Sequence, residues 1–94
     1  MPAFVLYCID KPDSLSLRLA NREAHLAYVG AAAAKVPFAG PMLDDAGEMA
    51  GSLIVLEADS LDEAKAFSAD DPYVKAGLFE RVEIRPFRLS LQRR

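Results

Sequence analysis

The sequence predicts one α+β domain of the ferredoxin-like kind: element order βαββαβ, a four-stranded antiparallel sheet, and both helices on one face of it. Two apolar runs, at residues 4–9 and 53–56, have the β-branched and aromatic content of internal strands. A helical pattern follows each run, and two further extended stretches complete the order. A chain of 94 residues builds one hydrophobic core, so residues 1–94 form a single domain.

The first strand and the first helix occupy the N-terminal part of the chain. Every position of residues 3–9 is apolar, which predicts a strand covered on both faces. Residues 14–35 have a helical pattern, with a stripe that we expect to face the core. Asn21 leaves a second interpretation open, in which it caps a helix starting at Arg22 and residues 14–20 form a separate short turn. The predicted stripe consists of Leu19, Leu26, Val29 and Ala33.

The next segment predicts a hairpin. Residues 36–43 are extended, but Pro37 and Pro41 cannot donate to a ladder, so this strand lies at an edge of the sheet. The polar residues 44–48 form the loop, and residues 51–58 are apolar enough for an internal strand.

The last third repeats the helix-then-strand order. Ser60 with Glu63 forms a capping box, which starts a second helix that runs to about residue 69. Asp71 and Pro72 can cap and open a further short turn at residues 73–77. Residues 79–87 alternate apolar and charged side chains and form the last strand.

One face of the predicted sheet has no helix to cover it. Because the two internal strands are apolar on both sides, leaving that face in water would expose large side chains, at a cost of about 25 cal/mol per Å². The 52% of hydrophobic residues is also more than a small monomer needs. We therefore expect a homodimer that packs sheet on sheet, a dimeric α/β barrel, with a small-ligand cleft between each sheet and its helices.

Charge and cysteine content exclude some classes of binding partner and indicate the cellular compartment. A net charge of −3 repels a phosphate backbone, so we expect no nucleic acid partner. The basic residues near the C-terminus are interpreted as a solvated tail without function. One cysteine, Cys8, excludes an intrachain disulfide, and neither a signal peptide nor a membrane span is recognisable, so we expect a cytoplasmic protein without a membrane partner. That basic cluster consists of Arg85, Arg88, Arg93 and Arg94.

Metals and cofactors are not expected. One histidine and one cysteine cannot form a zinc site within one chain, and the acidic residues of the hairpin loop lack the spacing of a calcium loop. The sequence has no glycine-rich phosphate loop and no nucleophile elbow.

The candidate acid–base residues are His25 and Asp71. His25 is the only histidine, and histidine is the side chain whose ordinary pKa lies near neutrality. It precedes Leu26 by one position, which places it at the boundary between core and solvent; a structural histidine is the alternative. Asp71 can cap the following turn or orient an imidazole, and a cap is expected to use one carboxylate oxygen and leave the other free.

Four further residues are candidates for substrate binding. Arg18 and Arg22 lie four apart on one helix face and could receive a carboxylate through bidentate hydrogen bonds; a solvated helix face is the alternative. Ser52 is not a nucleophile without a base beside it, but Ser52 and Tyr73 could line the pocket.

Four segments in this order resemble the signature segments of YciI-like proteins, and the resemblance covers essentially the whole chain. A DKPDS segment after the first strand adds to it. The four segments are REAHL (22–26), AGPM (39–42), DPYVKAGLF (71–79) and VEIRPF (82–87).

The resemblance implies a dimeric ferredoxin-like fold and a site with one histidine and one aspartate, which correspond to His25 and Asp71 here. It also implies that a related protein is a dehydrochlorinase of a chlorinated hydroxymuconate, whereas most of the family has no assigned reaction. The short loop at residues 44–50 departs from the family and is expected to reshape the pocket mouth.

Two functions remain open from the sequence. In the first, His25 and Asp71 transfer a proton on a small anionic organic molecule, as in a lyase, with Arg18 or Arg22 holding the anion. In the second, the domain is a non-catalytic metabolite-binding or accessory protein-interaction module. A purely structural role is a third interpretation, and the substrate itself cannot be inferred from the sequence.

Overall fold

The computed structural model describes residues 2–91 and has the predicted element order. The sheet order is β2-β3-β1-β4, with antiparallel neighbours throughout, so the ferredoxin-like α+β fold is confirmed. The strands are β1 (Ala3–Asp10), β2 (Phe38–Leu43), β3 (Met49–Glu57) and β4 (Phe79–Phe87). The helices are α1 (Leu15–Ala31), α2 (Leu61–Ala69) and the short α3 (Pro72–Lys75), with a 3-10 turn at Ala33–Lys35.

The core lies between the helices and one face of the sheet. In the central pair β1 and β3, Leu6 lies opposite Ile54 and Phe4 opposite Leu56, and all four side chains are buried. Ala64 of α2 is buried in the same cluster, and other side chains of α1 and α2 pack against it. Both helices therefore cover the same face. The packed side chains from the helices are Val29, Leu61 and Phe67.

Helix α1 is continuous, so a second helix starting at Arg22 is wrong. Asn21 lies in the helix interior, where its Nδ2 donates to the carbonyl oxygen of Leu17 at 3.0 Å. A side chain bonded four residues back satisfies itself within the helix and caps nothing.

The predicted core stripe of α1 is correct at Val29, which packs against the core, but wrong at its other three positions, which are exposed. Leu19 and Leu26 are 54% and 50% exposed, whereas the buried residues of this helix are Arg18 and His25. The physical reason is that the neighbouring elements offer buried carboxylates to α1. Buried carboxylates require charged or hydrogen-bonding partners, so the helix turns its polar side chains inward. His25 is consequently buried, not at the boundary with solvent.

The opposite face of the sheet carries large apolar side chains. Tyr7 of β1, Phe38 of β2 and Phe87 of β4 point to it, and each is more than a third exposed. Within residues 2–91 both long helices lie on the other face. This face is the surface on which the predicted homodimer depends.

Two local predictions agree with the structure. The Ser60 hydroxyl accepts from the backbone N–H of Glu63 at 3.2 Å and caps α2. Hairpin residues 44–48 turn on Asp44, whose Oδ1 accepts from the N–H groups of Ala46 and Glu48.

Among the described residues, no helix is both long enough and apolar enough to cross a membrane.

Candidate active site

A cavity of about 250 Å³ opens between α1 and the strands β2 and β3. Its polar lining comes from three parts of the chain: α1, β3 and α3. Five of the six predicted site residues lie there together. They are Arg18, Arg22, His25, Ser52 and Tyr73.

The sixth residue, Asp71, lies directly behind His25. Its Oδ1 is 2.8 Å from Nδ1 of His25, and the two residues are 46 positions apart in the chain. The same Oδ1 accepts from the backbone N–H of Tyr73 at 2.9 Å and so caps α3. The expectation that the cap and the histidine would use different oxygens is therefore wrong, because the turn aims one oxygen at both donors.

This contact determines what His25 can do. A carboxylate oxygen only accepts hydrogen bonds, so Nδ1 of His25 carries the proton in the bond to Asp71. The other ring nitrogen, Nε2, is then unprotonated in the neutral imidazole. Since His25 lines the cavity, Nε2 is available to accept a proton from a bound molecule.

Tyr73 holds the imidazole from one face. The two rings are stacked, with centroids 4.0 Å apart and an angle of 16° between the planes. The Tyr73 ring also meets Phe79 edge-on, and the guanidinium carbon of Arg18 lies 4.5 Å from its centroid. Burial raises the pKa of the Tyr73 phenol, although the charge of Arg18 opposes this. Tyr73 thus contacts both the histidine and an arginine of the site.

Arg18 does not present an unpaired charge to the cavity. Its Nε and Nη2 donate to the two oxygens of Asp10, at 2.7 and 2.8 Å, and Nη2 also donates to the hydroxyl of Ser52 at 2.9 Å. Burial lowers the pKa of Arg18, but the hydrogen bond and charge of Asp10 outweigh it and the pKa is raised. The bidentate fork expected to receive a substrate carboxylate is occupied by the protein's own carboxylate.

Asp10 is the site residue that sequence reasoning missed. An acidic residue at the end of a strand that is otherwise apolar was the available signal, because a buried carboxylate requires a cationic or donor partner. Only the fold identifies that partner as Arg18, on the following helix.

Arg22 has a different environment from Arg18. It is half-buried and lines the cavity, and it forms no ion pair with any carboxylate of residues 2–91. Of the two arginines considered for binding an anion, Arg22 is the one whose charge is not already paired within that range.

Three remaining features lie away from this cavity. Residues 44–50 do not line it; several of them border a separate cavity of about 390 Å³, so the loop does not shape the mouth as expected. Arg85 is exposed and pairs with Glu83, while Arg93 and Arg94 lie outside the described residues. Residues 2–91 contain no group of three metal-ligating side chains.

The fold and the cavity define a class of protein: small ferredoxin-like α+β domains with a buried histidine–aspartate pair at the wall of a pocket. Residues 3–88 match the YCII-related domain, and the chain belongs to that family. Protein YciI of Escherichia coli O6:H1 (strain CFT073) is 40% identical over 93 residues, covering 90% of this chain and 95% of that protein. An uncharacterised protein of Haemophilus influenzae is 36% identical with the same coverage.

Two solved structures are also similar. The 5-chloro-2-hydroxyhydroquinone dehydrochlorinase of Burkholderia phenoliruptrix AC1100, in complex with 2,5-dihydroxybenzoquinone, is 38% identical with a TM-score of 0.85, covering 92% of this chain and 93% of that one. Its named substrate is a chlorinated hydroxyhydroquinone, which corrects the hydroxymuconate expected above. An antibiotic biosynthesis monooxygenase, 7% identical with a TM-score of 0.59 over 97% of this chain and all of that one, shares the fold alone.

Proposed function

We propose that this chain is a lyase-type, dehydrochlorinase-like enzyme that uses His25 and Asp71 to move a proton on a small organic acid. The observation that carries the proposal is the 2.8 Å contact between Nδ1 of His25 and Oδ1 of Asp71 beside an open cavity. A histidine held in one tautomer by a buried carboxylate is a general base at neutral pH.

The reaction begins with a proton transfer to His25. Nε2 takes a proton from a C–H or O–H group of the substrate, and the electron pair of that bond stays on the substrate. A leaving group such as chloride then departs with its bonding pair, so the net change is the loss of an acid. The carboxylate of Asp71 stabilises the imidazolium that forms, at the nitrogen opposite the reacting one.

Ser52 and Arg18 support the negative charge that develops on the substrate. The Ser52 oxygen accepts from Nη2 of Arg18, so its own hydrogen is free to donate to a substrate oxygen in the cavity. Asp10 fixes the guanidinium, which means that these donors need no reorganisation during the reaction.

The similarity to a dehydrochlorinase favours the same reaction class. At 38% identity over nearly the whole of both chains, elimination on a hydroxylated ring is the first chemistry to test. We further propose that the enzyme acts as a homodimer, because Tyr7, Phe38 and Phe87 form an exposed apolar surface on the sheet. The cytoplasm remains the predicted compartment.

The test is turnover of the full-length protein on a panel of chlorinated hydroquinones and hydroxylated organic acids, followed by chloride release and loss of substrate. His25→Ala and Asp71→Asn should each lower turnover by about 100-fold or more, the usual loss when a general base is removed. Asp70→Asn is the matched control, since Asp70 is the exposed neighbouring acid.

A His25→Ala protein with wild-type activity would contradict the proposal. Saturable binding of these compounds by the wild type without turnover would favour the non-catalytic alternative. Native mass and circular dichroism of each variant separate a lost reaction from a lost fold.

A further inference from the structure

The two arginines around the cavity differ in their pairing. His25 faces Asp71, and Arg18 faces Asp10, so each of these groups has a carboxylate of its own. Arg22 lines the same cavity and has no such partner among residues 2–91. A half-buried guanidinium is partly desolvated and pairs strongly with a ligand carboxylate or phenolate. The wall of the cavity therefore carries one guanidinium that is not directly paired within residues 2–91 and that a bound anion could pair with.

The opposite end of the cavity is apolar. Beyond His25, α1 contributes Leu26, Val29 and Gly30, and β2 adds the small residues Ala39 and Gly40. Pro41 of β2 lies at the polar end instead, because it pairs with Ser52. Among the described residues, no polar side chain lines this end. The cavity is thus polar at the Arg22 end and apolar at the Gly30 end, with His25 between the two.

Gly30 marks open space at that apolar end. A Cβ built on Gly30 would have no neighbouring atom within 4 Å, so no packing contact within the described chain requires glycine there. Gly30 is the next-to-last residue of α1, so the cost of about 1 kcal/mol that glycine carries in a helix interior does not apply in full. Its position on the lining indicates that it keeps volume available for a ligand.

Helix geometry orders the ligand along α1. A rise of about 1.5 Å per residue separates Arg22 from His25 by about 4.5 Å along the axis, and His25 from Gly30 by about 7.5 Å. The three positions are therefore spread along the helix axis in the order charged group, reacting position and apolar body, although Gly30 lies about 140° around the helix from His25. The volume of about 250 Å³ is large enough for one substituted ring.

We infer that the ligand is a single-ring or similarly small amphiphilic monoanion, with its charged group on Arg22 and its apolar body directed toward Gly30. The inference deepens the proposed function and rests on it for the placement of the reacting atom at His25. Arg22 is then a specificity-determining residue, and Gly30 sets the length that the cavity accepts.

The first experiment tests the role of the Arg22 charge. It compares the binding of benzoate with that of benzyl alcohol, its neutral counterpart, by following the amide chemical shifts of the protein. The wild type should bind benzoate about 10-fold or more tightly than benzyl alcohol, as a charge-assisted pair with arginine predicts. Arg22→Gln should remove that difference and Arg22→Lys should keep part of it. Lys65→Gln, which removes the same charge at an exposed position of α2, should keep all of it. Benzoate that fails to bind, or that binds Arg22→Gln as it binds the wild type, overturns the inference.

The size arm uses Gly30→Leu, with Ala31→Leu as the control at the next, exposed position of the same helix. Gly30→Leu should weaken benzoate binding by about 10-fold or more because the new side chain occupies ligand volume, while Ala31→Leu should leave binding unchanged. Leucine favours helix more than glycine does, and the amide spectrum reports whether the fold is intact. Gly30→Ala gives an intermediate case, and wild-type affinity in Gly30→Leu contradicts the assignment of the apolar end.

Binding without turnover separates the two proposals. His25→Ala should retain benzoate binding within a few-fold even though it loses turnover. Binding that depends on Arg22 in a protein with no turnover overturns the proposed function alone. Turnover that depends on His25 but not on Arg22 overturns this inference alone.

Discussion

Arg18 donates hydrogen bonds to both carboxylate oxygens of Asp10, and the two side chains are only 2% and 5% exposed. Breaking a buried pair from one side leaves an unpaired charge, so Asp10→Ala should cost about 3–5 kcal/mol in the free energy of unfolding. Asp10→Ala combined with Arg18→Met should cost clearly less than Asp10→Ala alone, because no charge is left buried. Urea unfolding at one protein concentration measures both. Equal costs for the two variants would contradict the claim that the unpaired guanidinium dominates.

The Oδ1 atom of Asp71 both contacts His25 and caps α3, and two substitutions separate these roles. The amide oxygen introduced by Asp71→Asn still accepts from the N–H of Tyr73, so this variant should retain the cap of α3 but lose the charge behind His25. Asp71→Ala loses both, and it should be less stable than Asp71→Asn by about 1 kcal/mol, the usual contribution of a cap. The measurement is the difference in urea midpoint. Identical midpoints would show that the cap contributes nothing here.

The exposed sheet face makes a prediction about assembly. We expect sedimentation to give twice the mass of one chain, and Tyr7→Arg to shift the protein toward the monomer, because a charge in an apolar interface is costly. Leu19→Arg is the matched control, since Leu19 is exposed on the outer side of α1. A wild type that stays monomeric at high concentration would refute the predicted dimer.

Cys8 predicts a pH dependence of stability. Burial raises the pKa of this thiol from 9.0 to about 12. The unfolded chain therefore releases the thiol proton at a lower pH than the folded chain. The free energy of unfolding falls as pH rises between these two pKa values. The limiting slope is about 1.4 kcal/mol per pH unit. Cys8→Ala should show a shallower decline, and the same slope in both proteins would contradict the assignment.

Gly51 is constrained by its neighbours. A Cβ there would lie 2.5 Å from the carbonyl oxygen of Cys8 and 2.7 Å from Cε of Met42. Gly51→Ala should lower stability by about 1–3 kcal/mol, as overpacking in a well-packed region does. Gly40→Ala makes the same change in the same sheet where a Cβ meets nothing within 4 Å, and it should be nearly neutral. Thermal unfolding of the pair tests this, and a neutral Gly51→Ala would show that the backbone can move apart.

The fold was predictable because its signals are local. The apolar runs in β1 and β3, the prolines of β2 and the cap at Ser60 each depend on a few neighbouring residues, and together they leave one common topology. The orientation of α1 was not predictable in this way. Leucines at helical spacing indicate a core-facing stripe unless other parts of the chain require another side of the helix to face inward. Here the buried carboxylates of Asp10 and Asp71 require it, because they pair with Arg18 and His25 of α1.

The candidate site also has one part that could be predicted from the sequence and one part that could not. The residue types of the acid–base pair could be named in advance, since there is one histidine and Asp71 begins a turn. The partner of Arg18 could not, because an acidic residue at a strand end does not indicate which helix will cover it.

Residue patterns along the chain were enough to predict the order of strands and helices, the burial of the central strands and the side chains able to carry a proton. Which charges are neutralised within the protein, and which remain for a ligand, depends on how those elements pack in three dimensions. Periodicity and capping act within a few residues. Pairing of buried charges acts between segments that meet only when the sheet and helices have packed, as His25 and Asp71 do across 46 positions.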